Sequence, residues 1–171
     1  MAEPLRGRIK IISGGQTGAD RTALEVAREL GFPTGGVAPL FFKTENGPDL
    51  TLRDVFGLSE SQSPSYSVRT KANVQIADVT VWLGKTGSAG YVCTKKAIDL
   101  HKRPFVLCPS ADELLEWVLA RRPKTVNIAG NRRSHNPGIV RLTRETLLPV
   151  LIALLQEELL LDRLNETENV Q

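Results

Sequence analysis

Apolar positions recur along this chain in two alternating periods, and the alternation predicts strands followed by helices. Ile9 to Ile12 is a short isoleucine-rich run that reads as a strand. Ala23, Val26, Ala27 and Leu30 follow at helical spacing, and Gly31 is placed to stop that helix. Thr34 to Pro39 predicts a short strand, and the stretch on to Ser63 lacks clear periodicity and reads as a long loop. Pro64-Ser65 opens a helix with Val68, Ala72 and Ile76 along one side. Asp78 to Leu83 is the next strand, Val92 to Lys102 a helix, and Phe105 to Cys108 a strand. Ser110 and Glu113 form a capping-box signature, with Ala111, Leu114, Leu115 and Val118 at helical spacing behind it. Thr125 to Ala129 is the last strand, and a long helix from about Thr143 to Leu164 ends the pattern. Strands alternating with helices require crossover connections, so the expected fold is α/β, Rossmann-like and doubly wound, with a mainly parallel sheet and helices on both faces. One domain is expected over 1–171, with short flexible tails at about 1–7 and 165–171.

Three glycine-bearing polar segments each follow a predicted strand. They are Ser13 to Asp20, Gly84 to Gly90, and Ala129 to Gly138. Ligands of such sheets bind beyond the carboxyl ends of the strands, so the three loops are expected to converge there and offer backbone N–H groups to an anion. The candidate binding residues are Gly14, Gly15, Gln16, Thr17, Gly18, Asp20 and Arg21 in the first loop, and Gly84, Lys85, Thr86, Gly87, Ser88 and Gly90 in the second. Gly130, Asn131, Arg132 and Ser134 complete the set in the third. A single glycine turn is as readily a plain connection between strand and helix, whereas three together favour a phosphorylated ligand. No Walker A loop forms at Gly84-Lys85-Thr86, because the position five before Gly84 is Val79, inside a strand, and the strict Gly-x-Gly-x-x-Gly fingerprint is also absent.

Tyr66, Arg69, Thr70 and Asn73 share one face of their predicted helix, either as a solvated surface or as a polar wall for the ligand; Arg69 and Asn73 join the candidates on the second reading. Arg132 and Arg133 are either solvated or, beside Gly130 and Ser134, placed for the bidentate contact that phosphate oxygens favour; Arg132 is the candidate on the second reading. Asp20 suits a helix cap or a carboxylate that accepts hydrogen bonds from an amino-heterocycle. His101 and His135 lack metal-ligand spacing, no metal ligands are assigned, and no Ser-His-Asp set is found, so no catalytic residue is assigned. Cys93 is expected to be a buried helix cysteine.

Composition narrows the classes. The 171 residues are 41% hydrophobic and 24% charged, with net charge +3. The basic residues are dispersed and aromatics make up only 5%, which disfavours nucleic acid. Cys93 and Cys108 form neither a disulfide framework nor a metal pair, which fits a reducing, cytoplasmic setting. No run approaches the about 18 apolar residues that span a membrane, and Met1 to Lys10 has no signal-like apolar core. From Leu147 to Leu155 the last helix is apolar nearly all round, so it is expected to meet a second subunit, with two-fold symmetry.

Ile11 to Arg21, Gly35-Gly36 with Pro39, Tyr66-x-x-Arg69-Thr70-x-x-Asn73-Val74 with Ala77-Asp78, Gly87-Ser88-x-Gly90, and Val126 to Arg132 with Ser134 resemble the molybdenum cofactor carrier proteins and their molybdenum-carrier relatives. The resemblance runs from about residue 9 to residue 140. Gly87 to Gly90 and Asn131 depart from the commoner Gly-Gly-Thr and Ala-Gly-Pro-Arg forms, a variation associated with the algal and cyanobacterial carriers. It implies a Rossmann-like protomer in a homotetramer that binds, protects and transfers molybdenum cofactor without chemistry and hands it to molybdenum enzymes. The rival is an enzyme similar to the nucleotide-5′-monophosphate phosphoribohydrolases. Those carry a catalytic glutamate a few residues after their glycine segment, whereas here no acid precedes Asp99. A nucleotide-ligand sensor is the third reading.

Overall fold

The computed structural model describes residues 9–168, with the side chain of the last of these left out. Its centre is a five-stranded, wholly parallel sheet. The strands are β1 (Lys10–Ile12), β2 (Thr34–Gly35), β7 (Val79–Leu83), β8 (Phe105–Leu107) and β9 (Thr125–Gly130), in the order β2-β1-β9-β7-β8. The last strand of the chain is thus the central one. It pairs with β1 through Ile11↔Val126 and with β7 through Val81↔Ile128. The chain winds outward from β1 to β2 on one side and from β7 to β8 on the other, so the topological switch lies around β9. All three glycine loops leave the carboxyl ends of the three neighbouring strands β1, β9 and β7.

Helices cover both faces, as the alternation predicts. On one face, α1 (Ala19–Glu29) and α5 (Ala111–Arg121) flank the long α6 (Ile139–Glu168). They bury Ile11, Val79, Val81, Leu83, Val126 and Ile128 of the sheet against Leu114, Leu147, Val150, Leu151 and Leu154. On the other face, α3 (Tyr66–Ile76) packs beside α4 (Ala89–His101). Side chains alternate between the faces of a strand, so Thr80, Trp82, Asn127 and Ala129 point to this second side.

Three expectations change. The segment predicted as a long loop to Ser63 is built: it contains β3 (Val37–Ala38), a 3-10 turn at Leu40–Phe42, the hairpin β4 (Lys43–Thr44) and β5 (Gly47–Pro48), α2 (Thr51–Asp54) and β6 (Ser59–Glu60). These elements are two to four residues long, too short for any period to show, yet Ala38, Phe42, Leu52, Phe56 and Leu58 make a second core with Leu24 of α1. The helix α3 is turned opposite to the apolar stripe read from its sequence: Val68 and Ile76 are 41% and 55% exposed, while Thr70 and Asn73 are buried. The final helix buries Leu147, Val150, Leu151 and Leu154 in the core and leaves Leu142 and Ile152 exposed. It also runs through Asn165 to Glu168, where a frayed tail is expected; 1–8 and 169–171 lie outside the described residues.

Candidate functional site

A cleft of about 240 Å³ opens at the carboxyl ends of β9 and β7, between the N-termini of α3 and α4. Gln16, Arg69, Ser88, Gly90, Gly130, Asn131 and Arg132 line it, all of them sequence candidates, together with Tyr66, Ser67, Thr70, Ala89, Cys93 and His135. Gly130 and Asn131 at the end of β9 contribute one side of it, and the first turns of α3 and α4 the walls.

The first glycine loop is folded upon itself. The buried Asp20 carboxylate accepts the Gln16 N–H at 3.4 Å and those of Gly14 and Gly130, and it pairs with Arg69 Nη1 at 3.3 Å. Burial pushes the Asp20 carboxyl up from its ordinary value, and Arg69 and these N–H groups offset only part of that. Gly15 donates to Ser13 Oγ, Thr17 N–H to Gln16 Oε1, and Ala19 to the Asn131 carbonyl. Asp20 therefore fills the nest that the sequence suggests for a ligand anion. Two glycines permit this packing. A Cβ at Gly14 would fall 2.1 Å from Arg69 Nη1, and Gly18 has φ +88° with the Asn131 carbonyl oxygen 2.4 Å from where its Cβ would sit.

Asn131 ties the second loop to the third. Its Oδ1 accepts the Lys85 N–H at 2.6 Å, and its Nδ2 donates to the Lys85 carbonyl at 3.0 Å and towards Ser88 Oγ at 3.4 Å. The Lys85 backbone is held this way, while Lys85, Thr86 and Gly87 are exposed and none of them lines the cleft. Ser88 caps α4 by accepting the Tyr91 N–H. The Ala89 and Gly90 N–H groups ahead of it make no hydrogen bond among the described residues, and α3 starts with no side-chain cap. Both helix starts thus present donors and a positive dipole end to the cleft.

Cations gather on one ring. Arg132, Lys43 and Arg69 lie 5.5, 5.4 and 5.9 Å from the centroid of Tyr66. Arg69 Nε is buried and without a partner among the described residues, so this guanidinium has a donor to spare.

The remaining candidates are engaged by other parts of the chain. Asn73 is 1% exposed and spends its amide on Val37, accepting from its N–H and donating to its carbonyl, both at 2.8 Å. Arg21 turns outward to Glu25 and Asp49, at 3.0 and 2.6 Å. Thr17 and Ser134 stand at the rim, where both hydroxyls donate to Glu45, the tip of the β4–β5 hairpin. Burial acts to raise the Glu45 carboxyl, but the hydrogen bonds from Ser134 and Thr17, with Arg132 nearby, outweigh it and hold the group below its ordinary value.

Lys43 and Glu45 were not legible as site residues, though Asn46-Gly47 is a hairpin signal that would have located the arm carrying them. Cys93, expected to be buried, is only half-buried and lines the cleft, as does His135. No cluster of three or more metal-ligating side chains occurs among the described residues, and no helix there is long and apolar enough to cross a membrane.

Comparison with known proteins gives this geometry a family. The chain is similar to a solved structure named "Putative molybdenum carrier protein" from Syntrophus aciditrophicus SB, with 31% identity over 85% of this chain and 95% of that one and a TM-score of 0.73. Two diphosphate reductases, E-1-hydroxy-2-methyl-but-2-enyl-4-diphosphate reductase of Plasmodium falciparum and an (E)-4-hydroxy-3-methyl-but-2-enyl diphosphate reductase, share 11% and 16% identity at a TM-score of 0.34 each. They cover 80% and 82% of this chain over 51% and 59% of their own, and at that level neither bears on fold or function. No curated protein matches at a significant level. The model of the circularly permutated YpsA SLOG family matches residues 11–151, and the chain belongs to that family.

Proposed function

We propose that the cleft binds molybdenum cofactor, a pyranopterin phosphate with a dithiolene-held molybdenum oxide, and that the protein carries, protects and transfers it without catalysing a reaction. The observation that carries this reading is the convergence of Arg69, Arg132 and Lys43 on the ring of Tyr66, beside the open Ala89 and Gly90 N–H groups. An aromatic face suits a flat heterocycle, and cations with helix-start donors suit an oxyanion. Arg132 and the start of α4 would hold one oxyanionic end, and Tyr66 with Arg69 the ring. The similar structure bears the name of a molybdenum carrier, which supports a molybdenum-containing ligand.

The donor set fits hydrolysis of a nucleotide less well. The cleft lining contains no carboxylate, and the two that flank it, Asp20 and Glu45, are engaged by donors of the chain itself. The protein acts in this reading as one Rossmann-like domain of the cytoplasm, assembled as a homotetramer through the outer side of α6 and donating cofactor to molybdenum enzymes. Light scattering at micromolar concentration should then show an oligomer rather than a monomer.

Thermal unfolding with molybdenum cofactor, with AMP and with neither tests the ligand. A rise in melting temperature with the pterin alone is expected. Release of adenine from AMP would overturn the carrier in favour of the hydrolase, and a rise with AMP without cleavage would favour a nucleotide sensor.

A further inference from the structure

The β4–β5 hairpin reaches over the rim of the cleft and places a carboxylate on donors that belong to two other loops. Glu45 N–H donates to Gln16 Oε1 at 2.9 Å. Its carboxylate accepts the Thr17 and Ser134 hydroxyls and the Ser134 N–H, the last at 3.4 Å, with Arg132 close enough to stabilise the charge. Two hydroxyls, an amide and a guanidinium gathered on one anion are the donors that a tetrahedral oxyanion takes.

The arm is lightly held. Its ladder is two residue pairs, Lys43↔Pro48 and Thr44↔Gly47, and Gly47 faces open space. At its base Phe41 and Phe42 both have positive φ, 63° and 52°, in a region that non-glycine residues rarely adopt. Phe42 is anchored in the second core while Phe41 is 66% exposed, so the strain sits at the junction between a fixed residue and a free one.

We infer that the Thr17–Ser134 seat is an oxyanion subsite which Glu45 fills in the ligand-free chain, and that an incoming tetrahedral oxyanion displaces Glu45 and lifts the hairpin. This rests on the reading of the cleft as a cofactor site and adds to it a second anionic position, separate from the start of α4. It also accounts for the size of the cleft: about 240 Å³ is below the ~300–1,000 Å³ of ordinary ligand pockets, and withdrawal of the arm would extend the site to Thr17 and Ser134. The chemistry is that of a phosphate monoester or of molybdate.

The test uses the full chain with sodium phosphate and with sodium molybdate in separate titrations, for the natural sequence, Glu45→Gln and Ser134→Ala. Removing the resident charge weakens the competitor for the seat and is expected to tighten binding of at least one oxyanion by roughly tenfold. Ser134→Ala is expected to weaken it. In the natural sequence the same oxyanion should speed hydrogen exchange at the Glu45 amide, whose bond to Gln16 ties the arm to the first loop, and whichever of the two does so identifies the source. Equal or weaker binding by Glu45→Gln, or a Glu45 amide that stays protected at saturating oxyanion, would overturn the displacement and leave Glu45 a structural latch. The two proposals fail separately: cofactor binding with an unmoved hairpin sinks only this one, and oxyanion-driven opening without pterin binding sinks only the other.

Discussion

The two faces of the central sheet are built from the same strands and have opposite character. Under α1, α5 and α6 every inward residue of β7 and β9 is aliphatic: Val79, Val81, Leu83, Val126 and Ile128. Under α3 and α4 the alternate residues are Thr80, Trp82, Asn127 and Ala129, with an Asn127 Nδ2 to Thr80 Oγ1 contact of 3.3 Å, and the helix above turns Thr70, Asn73 and Arg69 inward while Val68 and Ile76 face out. Two buried donors without partners among the described residues, Arg69 Nε and Trp82 Nε1, belong to this second side. The first face is a packed wall whose contribution is burial. The second gives up apolar contact to bring hydrogen-bonding groups beneath the cleft, as expected of a side where stability yields to binding.

The largest effect should come from breaking the apolar face. Leu151→Ala, within that core, is expected to cost about 2–5 kcal/mol in urea unfolding while leaving the affinity of the folded protein for its ligand unchanged. On the polar face, Asn73→Ala removes both bonds to Val37 and is expected to cost about 1–3 kcal/mol, with faster exchange at the Val37 amide. A cost near zero there would mean that water replaces the side chain without loss. Arg132→Met should invert the pattern. Ligand affinity falls by about 10–100-fold, the scale of a hydrogen bond to a charged group. The melting temperature stays close to the parent's, since substitutions on a protein surface usually change stability by no more than about 0.5 kcal/mol in either direction.

The smallest effect is a pH dependence with opposite signs at two carboxylates. Asp20 has a raised folded pKa, so between its unfolded value of 3.8 and that higher value the folded state binds more protons, and its contribution to stability falls as pH rises. Glu45 is depressed, so its contribution is present above 4.5 and is lost as pH falls through the folded value. Stability measured across this range should show Asp20→Asn flattening the loss on the alkaline side and Glu45→Gln flattening the loss on the acid side.

Local signals carried a large part of this architecture. The strand and glycine-loop junctions after Ile12, Leu83 and Gly130, and the Ser110–Glu113 capping box, are short-range features, and each stands in the structure. The position of β9 between β1 and β7 was not legible, because the neighbour of a parallel strand is decided by long-range packing. It is this order that brings the three loops together. The inward turn of α3 was one of two readings that the sequence left open, because the partners that decide it are distant in the chain: Asp20 meets the half-buried Arg69, and the Val37 backbone meets the buried Asn73. Convergence did not mean equivalence. Asp20 satisfies the first loop, Asn131 clamps the second to the third, and the open donors lie at the helix starts, which glycine spacing alone does not distinguish.

The most direct measurement is an anomalous difference map at the molybdenum edge from crystals of the protein grown with its cofactor. The expected result is one molybdenum peak per chain at the cleft between Tyr66 and Ser88, with Arg132 or the Thr17–Ser134 seat on an oxyanionic group of the same molecule. A peak on another surface, or none at a cofactor concentration that saturates binding in solution, would contradict the site.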